Sequence, residues 1–323
     1  MKAMVLTRPG HMECQEVPRP EVTPDSMIVR VESAAICNAT DYRSYRADPT
    51  ESRWPSVPCP VVLGHELCGV VEDVGSDIRE WAVGDTLVPW GVSHGAYAQY
   101  CRVVPEEVAA LRIPECVSAS EAAALEPAMG AIRYLVAEDG AFLLKEGDRV
   151  MVAGLGPSGL FFLQYAALCG AKEIWAADHN EPRCEIARAL GAHKVFSSVE
   201  DLTDAAEEEG AKMDALLDTT EADLHDAFAR LTKPNGLIVP YGGGCDWDAL
   251  SERLGDTPFR KGDGDTEEIR RVLPQMTEWL ASGELQLGPI VSKRVPLRET
   301  DTYLEALQER PKYMVKVAVL PWQ

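Results

Sequence analysis

The stretch Ile36-Cys37-Asn38-Ala39-Thr40-Asp41, "ICNATD", sets two side chains of opposite meaning side by side. Cys37 is the kind of thiol that binds a catalytic metal, and Asn38 is the kind of residue that stands where such a ligand has been replaced. From this segment alone, metal-assisted chemistry and metal-free reduction are both open. A second stretch, "GLGPSG", places glycines at 154, 156 and 159, with Pro157 and Ser158 between the last two. It follows the apolar run "VMVA" directly and precedes a long apolar run. In that context Gly154 permits a tight turn, Gly156 lets the backbone approach a pyrophosphate, and Gly159 lets helix and strand pack closely. The start of the helix then offers free N–H groups and the positive end of its dipole. Asp178 lies 19 residues beyond Gly159. There a carboxylate can accept hydrogen bonds from the adenosine ribose and repel a 2′-phosphate, so NAD is favoured over NADP. Arg183 leaves room for the phosphorylated cofactor.

The elements that must hold these residues separate by texture. "KAMVL", "SMIVRVESAAI", "CGVVEDVG", "DTLVPWG" and "AYAQYCRVV" alternate or run apolar between Gly and Pro turns. That predicts an antiparallel, barrel-like β domain. "SASE" puts Ser118 three residues before Glu121 as a capping box, opening the helix-period stretch "AAALEPAMGAIRYLVAED". From Asp148 the strand-like runs "RVMVAGLG", "EIWAAD", "AKMDALLDTT" and "LIVPYGGG" alternate with helix-like runs, and Pro182 is placed near a helix start. This is a βαβ series, hence α/β with a doubly wound parallel sheet. "PIVSKRVPL", "ETDTYLEALQE" and "MVKVAVLP" then return to a mixed texture. The layout is a β-rich domain with a dinucleotide-type domain inserted in it.

The balance of 52 acidic against 31 basic residues, a formal charge of -21, repels phosphate backbones and anionic membranes. No nucleic acid and no membrane is therefore expected as a partner. The acids are dispersed, and the densest patch, Glu207–Glu209, fits an exposed helix end. Nine cysteines without a framework, no apolar leader and no run long enough to span a bilayer point to a cytoplasmic protein.

The segment "PVVLGHELCGVVEDVGSDIREWAVGDTLVPWG", followed in order by "GAYAQYCRVV", "EAAALEPAMGAI", the Gly-rich turn and "VKVAVLP", resembles the medium-chain dehydrogenase/reductase family in its zinc-dependent alcohol dehydrogenase branch. The resemblance covers nearly the whole chain and is weakest from Gly242 to Gly288. It implies a GroES-like catalytic domain over 1–127 and 285–323, and a Rossmann domain over 128–284. In that family the Gly-His-Glu triplet supplies a zinc ligand, here His65, and its glutamate, here Glu66, enters or leaves the coordination shell. "LEPA" puts Glu126 at a further ligand position. The first ligand is a cysteine, and here the chain departs by one residue. Counting from the upstream strand gives Cys37, whereas counting back from Thr40-Asp41 gives Asn38, as in the zinc-free reductases.

The intact Gly-His-Glu triplet favours metal. Cys37, His65 and Glu126 would leave one position open for substrate, and Asp41 is suited to accept from the His65 ring. The resemblance then implies one catalytic zinc, with Thr40 as the hydroxyl that passes the proton of a small alcohol or carbonyl substrate. The family's relay histidine is Arg43 here, which cannot shuttle protons at neutral pH. That leaves a phosphate or substrate contact, or a solvated helix residue. Lys316 is placed near the cofactor pyrophosphate, and His94 reads as a loop residue. Cys59, Cys68, Cys101 and Cys116 lack metal-site spacing, so no structural zinc is expected. Family relatives pair as homodimers or homotetramers, often through the cofactor-domain sheet. The alternatives are a zinc-free quinone or enone reductase of the same fold, and a non-catalytic dinucleotide-binding protein.

Overall fold

Residues 1–37, 39–46, 58–244, 246–257, 259–261, 266–309 and 311–323 are described by the computed structural model, and Asn38 lies outside them. The opening segment carries strands β1 (Lys2–Arg8), β2 (His11–Glu16), β3 (Met27–Ala35), β4 (Val61–Val62), β5 (Glu66–Val74), β6 (Thr86–Trp90), β7 (Tyr100–Val103) and β8 (Ala109–Arg112). Its helices are α1 (Thr40–Arg46), α2 (Ala119–Ala122) and α3 (Leu125–Ile132). The middle carries β9 (Arg149–Ala153), α4 (Pro157–Leu168), β10 (Glu173–Ala177), α5 (Glu181–Ala189), β11 (Lys194–Phe196) and α6 (Val199–Glu208). There follow β12 (Met213–Asp218), α7 (His225–Leu231), β13 (Thr232–Pro240), α8 (Trp247–Leu254), β14 (Phe259–Lys261) and α9 (Thr266–Ser282). The chain closes with β15 (Val291–Pro296), α10 (Thr300–Gln308) and β16 (Lys316–Leu320).

Contacts divide the chain into two units, Met1–Pro127 with Leu273–Gln323, and Ala128–Val272. In the first, β3 is the organising strand: it pairs antiparallel with β5, β7 and β16 in a seven-stranded sheet. A smaller sheet has the order β2-β1-β4. Inward residues such as Met4, Leu6, Val29, Val31, Leu67, Val71, Leu87 and Tyr97 form the core. The register sets Ala35 opposite Glu66, and Ala35 opposite Ala318 on β16. Residues just beyond Ala35 therefore emerge between His65 and the start of β16. The capping box does not form. The Ser118 side chain caps no N–H and lies 2.9 Å from Ser120 Oγ, while Glu121 bonds Arg294 at 3.1 Å. The turn is closed by backbone instead, Glu121 N–H donating to Ser118 O at 2.9 Å. The helix-period stretch beyond it breaks into α2, α3 and a short 3₁₀ turn over Arg133–Leu135.

The second unit is a parallel sheet of order β11-β10-β9-β12-β13-β14. Chain direction across the sheet reverses between β9 and β12, which opens a crevice beyond their carboxyl ends. Met151, Trp175, Leu216 and Ile238 on one face pack against Leu202, Phe228 and Leu250 from α6, α7 and α8. Among the described residues no helix is long and apolar enough to cross a membrane.

Asp218 ends β12 beside Ala153 and is 1% exposed. Burial pushes its carboxyl from 3.8 up to about 6, against two hydrogen bonds that Oδ1 accepts from the Thr220 N–H and hydroxyl. Below about pH 3 the group is protonated whether the chain is folded or not. Between about pH 4 and 6 the folded chain keeps a proton that the unfolded chain loses, so stability falls as pH rises, by up to about 3 kcal/mol. Asp218→Asn keeps the acceptor and removes the charge. It is expected to raise the urea midpoint of unfolding at pH 8 and leave it nearly unchanged at pH 4. An equal gain at both pH values would contradict this account.

Candidate active site

Cys37 leaves β3 two residues after Ala35, and His65 immediately precedes β5. The antiparallel register of these strands brings the two together. Cys37 Sγ, a His65 ring nitrogen and a Glu66 carboxylate oxygen all lie within 4.8 Å of one another. Asp41, in the first turn of α1, binds this group from behind. Its Oδ1 lies 2.9 Å from His65 Nδ1, and its Oδ2 accepts the Cys37 backbone N–H at 3.0 Å. A carboxylate can only accept, so the proton of the ring sits on Nδ1 and Nε2 is left for a metal. Tyr97 donates its hydroxyl to the same Oδ2. Thr40, the first residue of α1, donates its N–H to Cys37 Sγ at 3.4 Å.

Glu66 is buried, and its Oε1 accepts from Lys316 Nζ at 2.7 Å. The same ammonium donates to Ile36 O at 3.2 Å and is 3% exposed. Glu66 Oε2 is buried without a hydrogen-bond partner. An orphaned carboxylate oxygen beside a thiol and an imidazole is the donor set of a zinc-type ion, so these residues fit one. Glu126 on α3 is half-buried and is not one of the three side chains that converge within 4.8 Å, yet it feels the charges of His65, Glu66 and Lys316. Burial pushes its carboxyl up to about 7, with Glu66 adding to the rise and His65 and Lys316 opposing it.

Electrostatics bind the cluster together. Burial disfavours a charged His65 ring, but the Asp41 carboxylate and its hydrogen bond raise that ring's pKa well above the ordinary value. Burial also opposes ionisation of Asp41, yet His65, Tyr97 and the Cys37 N–H hold it below the usual carboxylate range. Lys316 follows the same logic: burial lowers its pKa, and Glu66, by charge and hydrogen bond, together with Cys37 and Glu126 reverses the effect and raises it.

The second unit forms the turn that "GLGPSG" encodes. Gly154 has φ +81, and a Cβ there would sit 2.6 Å from Thr219 Oγ1. A Cβ on Gly159 would lie 1.9 Å from Gly154 O, while one on Gly156 would meet nothing within 4 Å. Gly156 is the N-cap of α4, Pro157 and Ser158 open the helix, and no side chain caps it. The open approach at Gly156 and the uncapped helix end suit a pyrophosphate. Asp178 follows β10 and accepts the Leu155 N–H on Oδ2 at 2.6 Å and the Asn180 N–H on Oδ1 at 2.8 Å. Arg183 Nη1 lies 3.9 Å from Oδ2.

One residue of the cluster, Tyr97, has a role that the sequence left unassigned, and Lys316, which the sequence placed near the pyrophosphate, commits its ammonium to Glu66 and Ile36 O. Tyr97 lay within an apolar strand-like run, and a buried tyrosine hydroxyl needs an acceptor that spacing does not name. The pairing of Lys316 with Glu66 spans 250 residues. Arg43 is half-buried on α1, and His94 is exposed in a loop with Nδ1 2.8 Å from Ser93 Oγ. Cys68 and Cys101 are buried, Cys59 is half-buried and Cys116 exposed.

Comparison with known proteins agrees with this construction. Residues 23–115 match the alcohol dehydrogenase GroES-like domain, and residues 157–257 match the zinc-binding dehydrogenase domain. The chain is 26% identical to the uncharacterized zinc-type alcohol dehydrogenase-like protein YdjL of Escherichia coli (strain K12), covering 93% of each. It is 31% identical to an L-threonine 3-dehydrogenase of Chelativorans sp. (strain BNC1), over 63% of this chain and 64% of that one. The alcohol dehydrogenase TADH from Thermus sp. ATN1 superposes with a TM-score of 0.80 at 26% identity, covering 99% of each chain. Fold order, the zinc-type donor cluster, the dinucleotide turn and both domain matches converge: the chain belongs to the medium-chain dehydrogenase/reductase family, in its zinc-dependent alcohol dehydrogenase branch, and is an oxidoreductase.

Proposed function

We propose that this oxidoreductase uses zinc and NAD(H) to interconvert a secondary alcohol, of the simple, polyol or sugar type, and its ketone. The observation that supports this is the convergence of Cys37, His65 and Glu66 within 4.8 Å, with Glu66 Oε2 buried and unpartnered. Cys37, His65 and Glu66 would hold the metal, with Glu126 a further carboxylate available to it. When bound, zinc supplies a Lewis acid for the substrate oxygen and the nicotinamide supplies the hydride partner.

The protein's own residues prepare the ground for that chemistry. Asp41 fixes the His65 tautomer. Lys316 anchors one oxygen of Glu66 and leaves the other open. Thr40 carries the hydroxyl that would take the substrate proton at the start of its route to water, and Arg43, at the relay histidine's position, cannot carry it onward. Gly154, Gly156, Pro157, Ser158 and Gly159 would seat the pyrophosphate. Asp178 would bind the ribose and select NAD over NADP, while Arg183 flanks it. A cytoplasmic homodimer or homotetramer, paired through an edge of the cofactor-domain sheet, completes the reading.

Metal analysis of the purified protein is expected to give about one zinc per chain, with Cys37→Ser and His65→Ala losing both metal and turnover. Activity that survives complete chelation would sink the proposal. NAD is expected to exceed NADP in kcat/KM by more than about tenfold, and a preference for NADP would remove Asp178 as the selector. Lys316→Met should destabilise the fold by about 3–5 kcal/mol by stranding the Glu66 carboxylate, and adding Glu66→Gln should restore much of that loss. Thermal unfolding of the single and double variants decides it, additive losses counting against the pairing.

A further inference from the structure

Asp41 is 3% exposed, and among the described residues its ionic partner is the His65 ring. The remaining oxygen, Oδ2, depends on two neutral donors, the Cys37 backbone N–H and the Tyr97 hydroxyl. Tyr97 is fully buried and its backbone is pinned on both sides. Its N–H donates to Leu63 O at 3.0 Å, its carbonyl accepts from the Met4 N–H at 2.8 Å, and the adjoining Ala96 N–H donates to Gly64 O at 2.9 Å. Its ring lies against Gly64, which has φ +88 and where a Cβ would come within 2.8 Å of the ring. Tyr97 therefore grips His65 from two directions: the backbone immediately before it, and the carboxylate that orients its ring.

We infer that Tyr97 is a positioning residue of the metal site, its hydroxyl holding Asp41 so that His65 presents Nε2 and Cys37 is kept in place. The inference rests on the zinc reading of the cluster. Ring packing against Gly64 and hydroxyl donation to Asp41 are separable, because Tyr97→Phe keeps the first and removes only the second. Carboxylate partners that touch a ligating histidine change metal affinity by about 10–100-fold, and Tyr97 acts one residue further out, so a loss of about tenfold is expected.

The experiment is zinc affinity by chelator competition on the full chain, for wild type, Tyr97→Phe, Asp41→Asn and the double variant, with the visible spectra of the cobalt-substituted proteins alongside. Tyr97→Phe should bind zinc about tenfold more weakly and shift the cobalt ligand-field bands, whereas in the Asp41→Asn background the same change should alter affinity by less than about twofold. Wild-type affinity and spectrum in Tyr97→Phe would overturn the inference, as would an equal loss in both backgrounds. Absence of zinc binding by the wild type would instead overturn the zinc reading itself. Should Tyr97→Phe not fold, the wild type decides by proton NMR. A tyrosine hydroxyl proton at low field, protected from exchange with water, supports the bond to Asp41, and rapid exchange of that proton refutes it.

Discussion

A carboxylate buried to 3% exposure can stay ionised only if its surroundings supply what water no longer does. Asp41 meets that condition with the His65 ring on one oxygen and two neutral donors on the other. Each partner is in turn fixed by it: the imidazole in tautomer, the Cys37 backbone in position, the tyrosine hydroxyl in direction. Where the chain carries one residue more than the family pattern, Asp41 accepts the Cys37 amide across the insertion. Remove the charge and three segments lose their common fixed point.

Strand register does the coarse work beneath this. Pairing β3 with β5 on one side and β16 on the other delivers Cys37, His65, Glu66 and Lys316 to one end of the sheet. The Lys316–Glu66 pair then satisfies one oxygen of a carboxylate and leaves the other without a partner. A buried pair is weak support for stability, since hydrophobic replacement is often neutral. Its value lies in keeping a charged oxygen ready in a place that packing alone would have filled with methyl groups.

Much of this was legible in the residues. The βαβ alternation and the glycines at 154, 156 and 159 specify their turn because steric demands there are local: a left-handed φ, a close approach, an open face. His65 and Cys37 were visible as ligand types, and Asp41 as a partner for the ring. What escaped were long-range polar pairings, Tyr97 with Asp41 and Lys316 with Glu66, which no periodicity encodes. The capping box at Ser118 was misread because Glu121 finds Arg294, 173 residues away, and a local motif lost to a distant ion. Helix α9 did carry a signal in Ile269, Val272, Met276, Trp279 and Leu280, all buried, although Pro274 interrupts it. It lay in the stretch where the family resemblance is weakest.

The 250-residue separation of Glu66 and Lys316 also has a consequence in time. At roughly 5–20 residues per second, a ribosome makes Glu66 between about 12 and 50 seconds before its counter-ion. Throughout that interval Glu66 lacks its counter-ion, so burying it as a carboxylate is costly. The second unit, Ala128–Val272, leaves the ribosome complete before Lys316 exists. The order of synthesis thus puts the whole dinucleotide half ahead of β16, the last strand that the thiol–imidazole–carboxylate cluster needs.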